Sequence, residues 1–309
     1  MNHFINLKDI PAKDLKKILK DAKRRKKLRK IFNTLEIDKG APLKGKLLIQ
    51  MFEKSSLRTR LSFYLAIKQL GGGTLTLRSN ELHLGAGGES IEDTAKILST
   101  YGDGFMLRTD NDKKIENFQD YLTIPMINGL SPSSHPTQVL SDVFTIEEIK
   151  KTSISNLNIT WIGDSNNVLN SLIAASVKFN FKLNIGCPKN YGPSKSVLNW
   201  VKKNKKKIYI FHSAEKASLN ADVIFTDKVV SLNDKVNKKQ KLLRFNKFKV
   251  TKKLMSYTNK DCIFLHCLPR GPEVEEKVFF SKQSKVWQQA LNRTHVQKSI
   301  LLYCFGKLR

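Results

Sequence analysis

The sequence predicts an α/β protein of two domains, each built on a mostly parallel sheet flanked by helices, with interdomain helices linking the two. Short apolar runs alternate with amphipathic segments along the chain, and this alternation favours parallel strands covered on both faces. Polar residues gather directly after the apolar runs, at the strand ends where open α/β sheets bind ligands. The chain has 309 residues, enough for two domains of ordinary size.

The first predicted domain covers residues 1–147. Its first helix is expected over residues 12–35, where apolar side chains recur at helical spacing. The apolar run at residues 47–52 predicts the first strand, and the amphipathic segment 61–70, which three glycines follow, predicts the next helix. The other elements expected in this half are strands at residues 73–77, 105–108 and 124–128 and helices at residues 90–101 and 135–149.

The second predicted domain covers residues 148–286 and repeats the same alternation of strands and helices. A final helix is expected from Trp287 to Tyr303, within a C-terminal segment, residues 287–309, that packs back on the first domain. The other elements expected here are strands at residues 159–162, 182–186, 222–226 and 262–265 and a helix at residues 168–179.

The stretch from Ser56 to Arg60 is the strongest functional signal. It joins a predicted strand to a helix, and a helix N-terminus presents free backbone N–H groups and a positive dipole to an anion. Ser56, Arg58, Thr59 and Arg60 add hydroxyl and guanidinium donors, which bind phosphate oxygens well. The stretch therefore predicts a site for a small phosphorylated molecule, and a polar helix cap with surface arginines is the competing interpretation.

Other polar residues follow predicted strands or begin helices, and each also has an ordinary structural explanation. Arg108 ends a strand, where an exposed terminus is equally acceptable. His135 and Gln138 begin a helix and carry groups suited to a carbonyl and an amide. Asp227 follows another strand, where a carboxylate could hold an ammonium group, and His83 in a glycine-rich loop is more often a surface residue.

Metal and cofactor motifs are missing from the sequence. It has no P-loop, no G-x-G-x-x-G and no H-E-x-x-H, and its four cysteines form no C-x-x-C pair. Cys267 follows His266, but adjacent residues of an extended segment face opposite ways, so a Cys–His covalent enzyme is disfavoured. The expected site relies on hydrogen bonds and arginines, with no metal and no organic cofactor.

The net charge of +28 is the misleading part of the composition. Such a balance usually suggests nucleic-acid binding, but aromatic residues do not interleave with the lysine runs at residues 16–30 and 202–207, and the run at residues 235–253 holds only Phe245 and Phe248. We favour a solvated surface that steers anionic substrates, with no nucleic acid as partner. No apolar run approaches the roughly 20 residues of a membrane span, and no signal peptide is recognisable, so a cytoplasmic, reduced protein is expected.

Together these residues resemble the aspartate/ornithine carbamoyltransferase family, and its ornithine-type members most, over nearly the whole chain. The family's phosphate loop reads Ser-Thr-Arg-Thr-Arg, and residues 56–60 stand in its place. The other matching motifs are Glu89-Ser-Ile-Glu-Asp-Thr-Ala95, His135-Pro-Thr-Gln138, Gly163-Asp-Ser-Asn-Asn-Val168, Thr226-Asp227 with Ser231-Leu232, His266-Cys-Leu-Pro269 and Asn292-Arg293.

The resemblance implies a role for each matching position. Carbamoyl phosphate would be bound by Ser56, Leu57 through its N–H, Arg58, Thr59, Arg108, His135, Pro136, Thr137, Gln138, Cys267, Leu268 and Arg293, with His83 reaching in from a neighbouring subunit. Ornithine would be bound by Asn167, Asp227, Ser231 and Leu232. The implied catalytic residues are Arg58, Arg108, His135 and Cys267.

The implied reaction transfers the carbamoyl group of carbamoyl phosphate to the δ-amine of L-ornithine, giving L-citrulline and phosphate for arginine biosynthesis. The implied assembly is a homotrimer with sites shared between subunits. Leu57, Thr137 and Leu232-Asn233 depart from the ornithine-type pattern. Because Leu232 belongs to the amine-binding loop, another acceptor (an N-acylated ornithine, putrescine or aspartate) stays open. A basic nucleic-acid-binding protein that has kept the fold is the alternative from another class.

Overall fold

A parallel sheet organises the first half of the chain in the computed structural model, which describes residues 1–29, 33–78, 88–230 and 237–308. Within those ranges its strands are β1 (Leu47–Phe52), β2 (Gly73–Arg78), β3 (Gly104–Arg108) and β4 (Met126–Leu130), in the order β2-β1-β3-β4. The helices of this half are α1 (Ala12–Leu28), α2 (Leu57–Gln69), α3 (Ile91–Tyr101), α4 (Asp112–Tyr121) and α5 (Pro136–Lys150).

A second parallel sheet organises the other half. Its described strands are β5 (Asn158–Ile162), β6 (Lys182–Gly186), β7 (Tyr209–Phe211), β8 (Val223–Thr226) and β9 (Ile263–His266), in the order β7-β6-β5-β8-β9. The helices are α6 (Asn167–Phe179), α7 (Lys195–Lys203), α8 (Ala214–Ser218), α9 (Lys238–Phe245), α10 (Lys252–Met255), α11 (Glu276–Phe279) and α12 (Val286–Cys304). Short 3-10 turns lie at Ile154–Asn156 and Asn246–Phe248.

The chain divides into two units, one made of Met1–Phe144 with Leu291–Arg309 and the other of Thr145–Ala290. Both changes of unit fall inside helices, α5 and α12. The predicted fold class, two parallel-sheet domains flanked and linked by helices, is therefore confirmed. The assignment of residues 1–147 to one substrate and 148–286 to the other stays a prediction.

Apolar strands form the centre of each unit. Ile49 and Met51 of β1 pack in one buried cluster with Phe105 of β3, and Ile224 of β8 packs in another with Phe264 of β9. Strands covered on both faces read as continuous apolar runs, which is why these strands were visible in the sequence. Burying each such side chain contributes about 1.5–3 kcal/mol.

In each sheet the strand order reverses at one strand, because the chain first adds strands on one side of it and later adds strands on the other. β1 has β2, the next strand along the chain, on one side and β3 on the other, and β5 has β6 on one side and β8 on the other. Open α/β sheets bind ligands at the carboxyl ends of the strands that flank such a switch. The residues after β1 and β3, and those after β5 and β8, therefore stand at the positions where each sheet is built to bind.

Two predicted helices have other bounds in the structure, and several elements were not predicted. α1 ends at Leu28 rather than at residue 35. After the end of the helix, the guanidinium of Arg29 donates to the carbonyl oxygens of Asn33 and Thr34. α2 starts four residues earlier than predicted, so residues 57–60 form its first turn rather than a loop. α4 was not predicted, because it buries only two apolar side chains and its hydrophobic pattern is too sparse to recognise. The short strand β7 and the short helices α7–α11 were missed as well.

Candidate functional site

The first half-site begins at the N-terminus of α2. Ser56, the residue before the helix, has an extended backbone (φ −154°, ψ 108°), and its hydroxyl makes no capping hydrogen bond within the described ranges. The N–H groups of a first helical turn have no acceptors inside the helix, so Leu57, Arg58 and Thr59 present donors after β1. The side chain of Leu57 is 70% exposed, which leaves its backbone N–H as the group it offers here.

Thr59 is the meeting point of two arginines from distant parts of the chain. Its fully buried hydroxyl oxygen accepts from Arg293 Nη2 at 2.7 Å and from Arg108 Nη1 at 3.5 Å. Arg293, which is 2% exposed on α12, also donates from Nη1 to Gln138 Oε1 at 2.8 Å. Gln138 donates in turn to Asp142, one turn along α5, at 2.8 Å. The structure thus brings four of the predicted residues together, and we call Thr59, Arg108, Gln138 and Arg293 the arginine cluster.

Burial and positive charge set the protonation states around this cluster. The pKa of Arg108 is lowered to about 10, first because burial disfavours its charge and second because Arg58 lies nearby. The pKa of His135 lies well below its ordinary value of 6.5, mainly through burial. The further causes are the charges of Arg293, Arg108 and Arg58. His135 is therefore a neutral imidazole at neutral pH, and a bound anion would offset the mutual repulsion of the guanidinium groups.

Pro136 and Thr137 form the first turn of α5, directly after His135. Proline suits that position because its missing N–H would have had no acceptor in the helix. Thr137 is fully buried, and its carbonyl oxygen accepts from Ser141 Oγ at 2.7 Å. Both residues help to place Gln138 one residue further on, and their own contact with substrate stays a prediction.

The second half-site lies after β5 and β8. Asn166, the N-cap of α6, accepts from two N–H groups of the first turn and donates from Nδ2 to Asp227 Oδ2 at 2.9 Å. Burial raises the pKa of Asp227, although the nearby His266 opposes the rise. A desolvated carboxylate gains most from a cationic partner, because the partner restores its charged form. Asn167, the predicted ligand, is the first residue of α6 and is half-buried.

His266 fixes the turn that contains Cys267 and Leu268. Its Nδ1 accepts from the Leu268 N–H at 2.8 Å, so the ring proton resides on Nε2, which donates to Glu273 Oε1 at 3.0 Å. Burial alone would raise the pKa of Glu273, but hydrogen bonds from His266 and the Gly271 N–H outweigh it and the pKa is lowered. Both ring nitrogens of His266 thus have partners, and the imidazole acts on the turn rather than on the Cys267 thiol.

Three predicted residues, His83, Ser231 and Leu232, lie outside the described residues, and their roles stay predictions. Arg60 follows Arg58 by two positions, about 200° further round the helix. It lines a cavity of about 410 Å³ together with Lys54, Ser56 and Arg78. Arg60 is therefore separated from the side of α2 that carries Arg58.

Two residues of the site were missed in the sequence. Asn166 carried only part of a signal, because an asparagine before an apolar helical run is a favoured N-cap but Asn167 stands between Asn166 and that run. Glu273 carried none, since its contact with His266 spans a turn whose geometry appears only in the fold.

Within the described ranges no group of three or more histidine, cysteine or acidic side chains is placed to hold a metal ion. The helices of the same ranges include none with the length and apolarity needed to cross a membrane.

Two family models cover nearly the whole chain. Residues 2–148 match the aspartate/ornithine carbamoyltransferase, carbamoyl-P binding domain, and residues 155–304 match the aspartate/ornithine carbamoyltransferase, Asp/Orn binding domain. Among curated relatives, the ornithine carbamoyltransferase of Agrobacterium fabrum is 40% identical over 306 residues, which is 98% of each chain. That of Ruthia magnifica is 41% identical over 305 residues, 98% of this chain and 99% of the relative.

Solved structures agree in fold along the full length. The ornithine carbamoyltransferase from Pyrococcus furiosus matches with a TM-score of 0.91 at 38% identity, over 99% of this chain and 97% of that one. The anabolic ornithine carbamoyltransferase from Campylobacter jejuni matches with a TM-score of 0.89 at 36% identity, over 99% of this chain and 100% of that one.

Proposed function

The chain belongs to the aspartate/ornithine carbamoyltransferase family, and from that premise we propose that it transfers the carbamoyl group of carbamoyl phosphate to the δ-amine of L-ornithine. The products are L-citrulline and phosphate, and the reaction serves arginine biosynthesis. One observation carries the proposal: Arg108 and Arg293 converge on Thr59 at the N-terminus of α2, beside the neutral His135. That arrangement suits a small molecule with a phosphate and a carbonyl oxygen.

The donor is held and activated by the first half-site. The phosphate accepts from the N–H groups of the first turn of α2 and from the guanidinium groups of Arg58 and Arg108. His135, being uncharged, donates a hydrogen bond to the carbonyl oxygen without adding to the positive charge of the cluster. Arg293 supplies positive potential as charge develops on that oxygen in the transition state.

The acceptor is held by the second half-site. The α-ammonium of ornithine pairs with Asp227, whose raised pKa makes it a carboxylate that gains from a cation. An N-acylated ornithine lacks that ammonium, so Asp227 favours the free amino acid. The neutral δ-amine attacks the carbonyl carbon, a tetrahedral intermediate forms, and its collapse expels phosphate, which accepts the amine proton.

Positioning and charge stabilisation then account for the rate. An alkyl ammonium has a reference pKa of about 10.4, so only a minor fraction of the amine is neutral at pH 7. Activity therefore rises with pH until the amine of the bound ornithine is deprotonated.

A homotrimer is part of the same proposal. Leu57, Leu61 and Tyr64 recur at helical spacing on α2 and are 70%, 52% and 39% exposed in the single chain. Leu75, on the neighbouring β2 at the edge of its sheet, is 50% exposed. An apolar stripe beside a sheet edge is typical of a surface that another protein chain covers. A solution mass three times the 35.3 kDa of the chain would support the trimer, and a monomeric mass would refute it. A cytoplasmic location stays a prediction from the sequence.

The activity is tested by measuring citrulline formation from carbamoyl phosphate and ornithine, with N-acetylornithine, putrescine and aspartate offered separately. We expect turnover with ornithine alone, and no turnover with ornithine would refute the proposal. Arg58→Ala should lower kcat by about 10²–10³-fold. Arg24→Ala, which removes an arginine 59% exposed on α1, is the matched control and should stay active. Salt-dependent retention on nucleic acid without transferase activity would favour the alternative class.

A further inference from the structure

A buried ion pair behind the second half-site has no part in the reaction as derived so far. Lys241 Nζ on α9 lies 2.5 Å from Asp164 Oδ2 in the loop after β5. The lysine side chain is 5% exposed and the aspartate side chain 17%. Moving two charges out of water costs free energy that their attraction only partly returns, so a buried pair is weak evidence for stability. Such a pair is better explained by the arrangement that it enforces.

The loop that this pair holds leads into the acceptor-binding residues. The carbonyl oxygen of Asp164 also accepts from Trp161 Nε1 at 3.1 Å, so the residue is fixed through both backbone and side chain. Only Ser165 separates Asp164 from Asn166, which caps α6 and donates to Asp227. A shift of Asp164 therefore moves the Asn166 amide relative to the carboxylate of Asp227.

Helix α9 is joined to the same loop by a second route through Tyr191. The Ser165 N–H donates to the Tyr191 carbonyl oxygen at 3.2 Å. The Tyr191 ring packs edge-on against Phe245 of α9, with 4.9 Å between centroids, and its hydroxyl accepts from Arg244 Nη1 at 3.3 Å. Apolar and polar contacts thus seat α9 beside the loop, and Lys241 contributes the buried charge that fixes the register between them.

We propose that Lys241 and Asp164 form a positioning pair for the acceptor amino acid. Helix α9 sets the loop from Asp164 to Asn167, and the loop sets the Asn166–Asp227 hydrogen bond that orients the carboxylate toward the α-ammonium. The inference rests on the proposed function, because the acceptor is the ornithine named there. The carbamoyl phosphate residues of the arginine cluster belong to the other unit, so losing the pair affects ornithine and spares carbamoyl phosphate.

The test compares the two Michaelis constants in variants of the full-length protein. Lys241→Met and Asp164→Asn should each raise KM for ornithine roughly tenfold, or about 1.4 kcal/mol, and should leave KM for carbamoyl phosphate within about twofold, because the arginine cluster lies in the other unit. The double variant should show less than the product of the two single effects. Lys241→Arg, which keeps the charge, should restore a near-normal KM. Lys238→Met removes an exposed lysine of the same helix and should change neither constant.

A binding measurement separates positioning from mere stability. L-Norvaline has the α-ammonium and carboxylate of ornithine but no δ-amine, so its Kd for the carbamoyl phosphate-loaded enzyme reports the α-groups alone. We expect Asp164→Asn and Lys241→Met to raise the Kd for norvaline by the same factor by which they raise the KM for ornithine. A lower melting temperature with unchanged Kd and unchanged KM would overturn the inference and leave the proposed function intact.

The two possible failures are distinguishable. A wild-type protein that does not use ornithine refutes the proposed function before any variant is made. If Lys241→Met fails to fold, the other two variants decide. An unchanged norvaline Kd in Asp164→Asn overturns the inference. A norvaline Kd that is raised in Asp164→Asn but normal in Lys241→Arg supports it.

Discussion

Arg293 and Gln138 are 155 positions apart in the sequence and are joined by a hydrogen bond of 2.8 Å from Arg293 Nη1 to Gln138 Oε1. The other terminal nitrogen of Arg293 is bonded to Thr59. One guanidinium therefore links α12 to both α5 and α2, and its planar fork fixes the three helices relative to one another within the first unit. The arginine cluster exists because the C-terminal helix returns to the N-terminal part of the chain.

Arg293→Lys should lose most of the activity although it keeps the charge. A lysine presents one ammonium on a flexible stem and cannot satisfy Thr59 and Gln138 together. We expect kcat/KM for carbamoyl phosphate to fall by about 10²-fold, since one preorganised donor is misplaced, with KM for ornithine little changed. Steady-state kinetics with each substrate varied in turn measures both, and full activity in Arg293→Lys would contradict the role given to the fork.

Asn166→Ala should weaken both the fold and acceptor binding, because Asn166 caps α6 and hydrogen-bonds Asp227. Losing an N-cap costs about 1 kcal/mol of unfolding free energy, and KM for ornithine should rise besides. Asn111→Ala is the matched control, since Asn111 caps α4 in the other unit. The control should show the loss of stability in urea unfolding without the change in KM; equal KM values in the two variants would refute the second role of Asn166.

The strands and several of the candidate site residues carried local signals in the sequence, whereas others, such as Arg293 and Leu268, were assigned only by the resemblance to the family. A strand buried on both faces is an apolar run, and the residue that follows it stands at the ligand-binding edge. Arg108, the last residue of β3, and Asp227, directly after β8, were proposed on that ground. The start of α3 also has a local signal, because Ser90 and Asp93 have the spacing of a capping box, and the Ser90 hydroxyl accepts from the Asp93 N–H.

The features that the sequence did not predict are those that depend on contacts between distant residues or on weak hydrophobic patterns. The Lys241–Asp164 pair spans two elements that no periodicity connects. Sparse amphipathic helices such as α4, which bury two apolar residues, differ little from polar loops. The start of α2 was misplaced because Arg58 and Thr59 were interpreted as loop donors, whereas a polar first turn provides the same donors as part of the helix.

His135 should stay neutral well below pH 6.5. The pKa of His135 is lower in the folded protein than in the unfolded chain. At a pH between these two pKa values, the unfolded chain binds a proton at His135 and the folded protein does not. The free energy of unfolding should therefore fall as pH drops below about 6.5 and level off above it. His135→Gln should remove this part of the slope, measured by urea unfolding from pH 5 to 8. An imidazole signal that titrates near pH 6.5 by NMR would contradict the neutral donor.

Glu273→Ala should lower activity through the turn that follows β9. Without the carboxylate the tautomer of His266 is no longer fixed, and the Leu268 N–H can lose its acceptor at Nδ1. We expect a loss of about 1–3 kcal/mol in unfolding free energy and a reduced kcat, since a buried hydrogen-bond partner has been removed. Glu273→Gln keeps an acceptor oxygen for Nε2 and should recover most of both quantities. An inactive but stable Glu273→Gln enzyme would show that the charge itself, and not the tautomer, is needed.

Replacing Asp38 should cost more unfolding free energy than replacing Lys298, although the two side chains form one buried pair. Asp38 lies 2.6 Å from Arg29, 2.8 Å from Lys298 and 3.6 Å from Arg25. Asp38→Asn leaves three cations without their shared carboxylate and should cost about 3–5 kcal/mol, whereas Lys298→Met leaves Asp38 with both arginines and should cost less than about 2 kcal/mol. The exposed pair of Glu92 and Lys96 provides the control, since Glu92→Gln should leave the unfolding free energy nearly unchanged. Equal costs for Asp38→Asn and Lys298→Met in urea unfolding would mean that the arginines do not share the carboxylate.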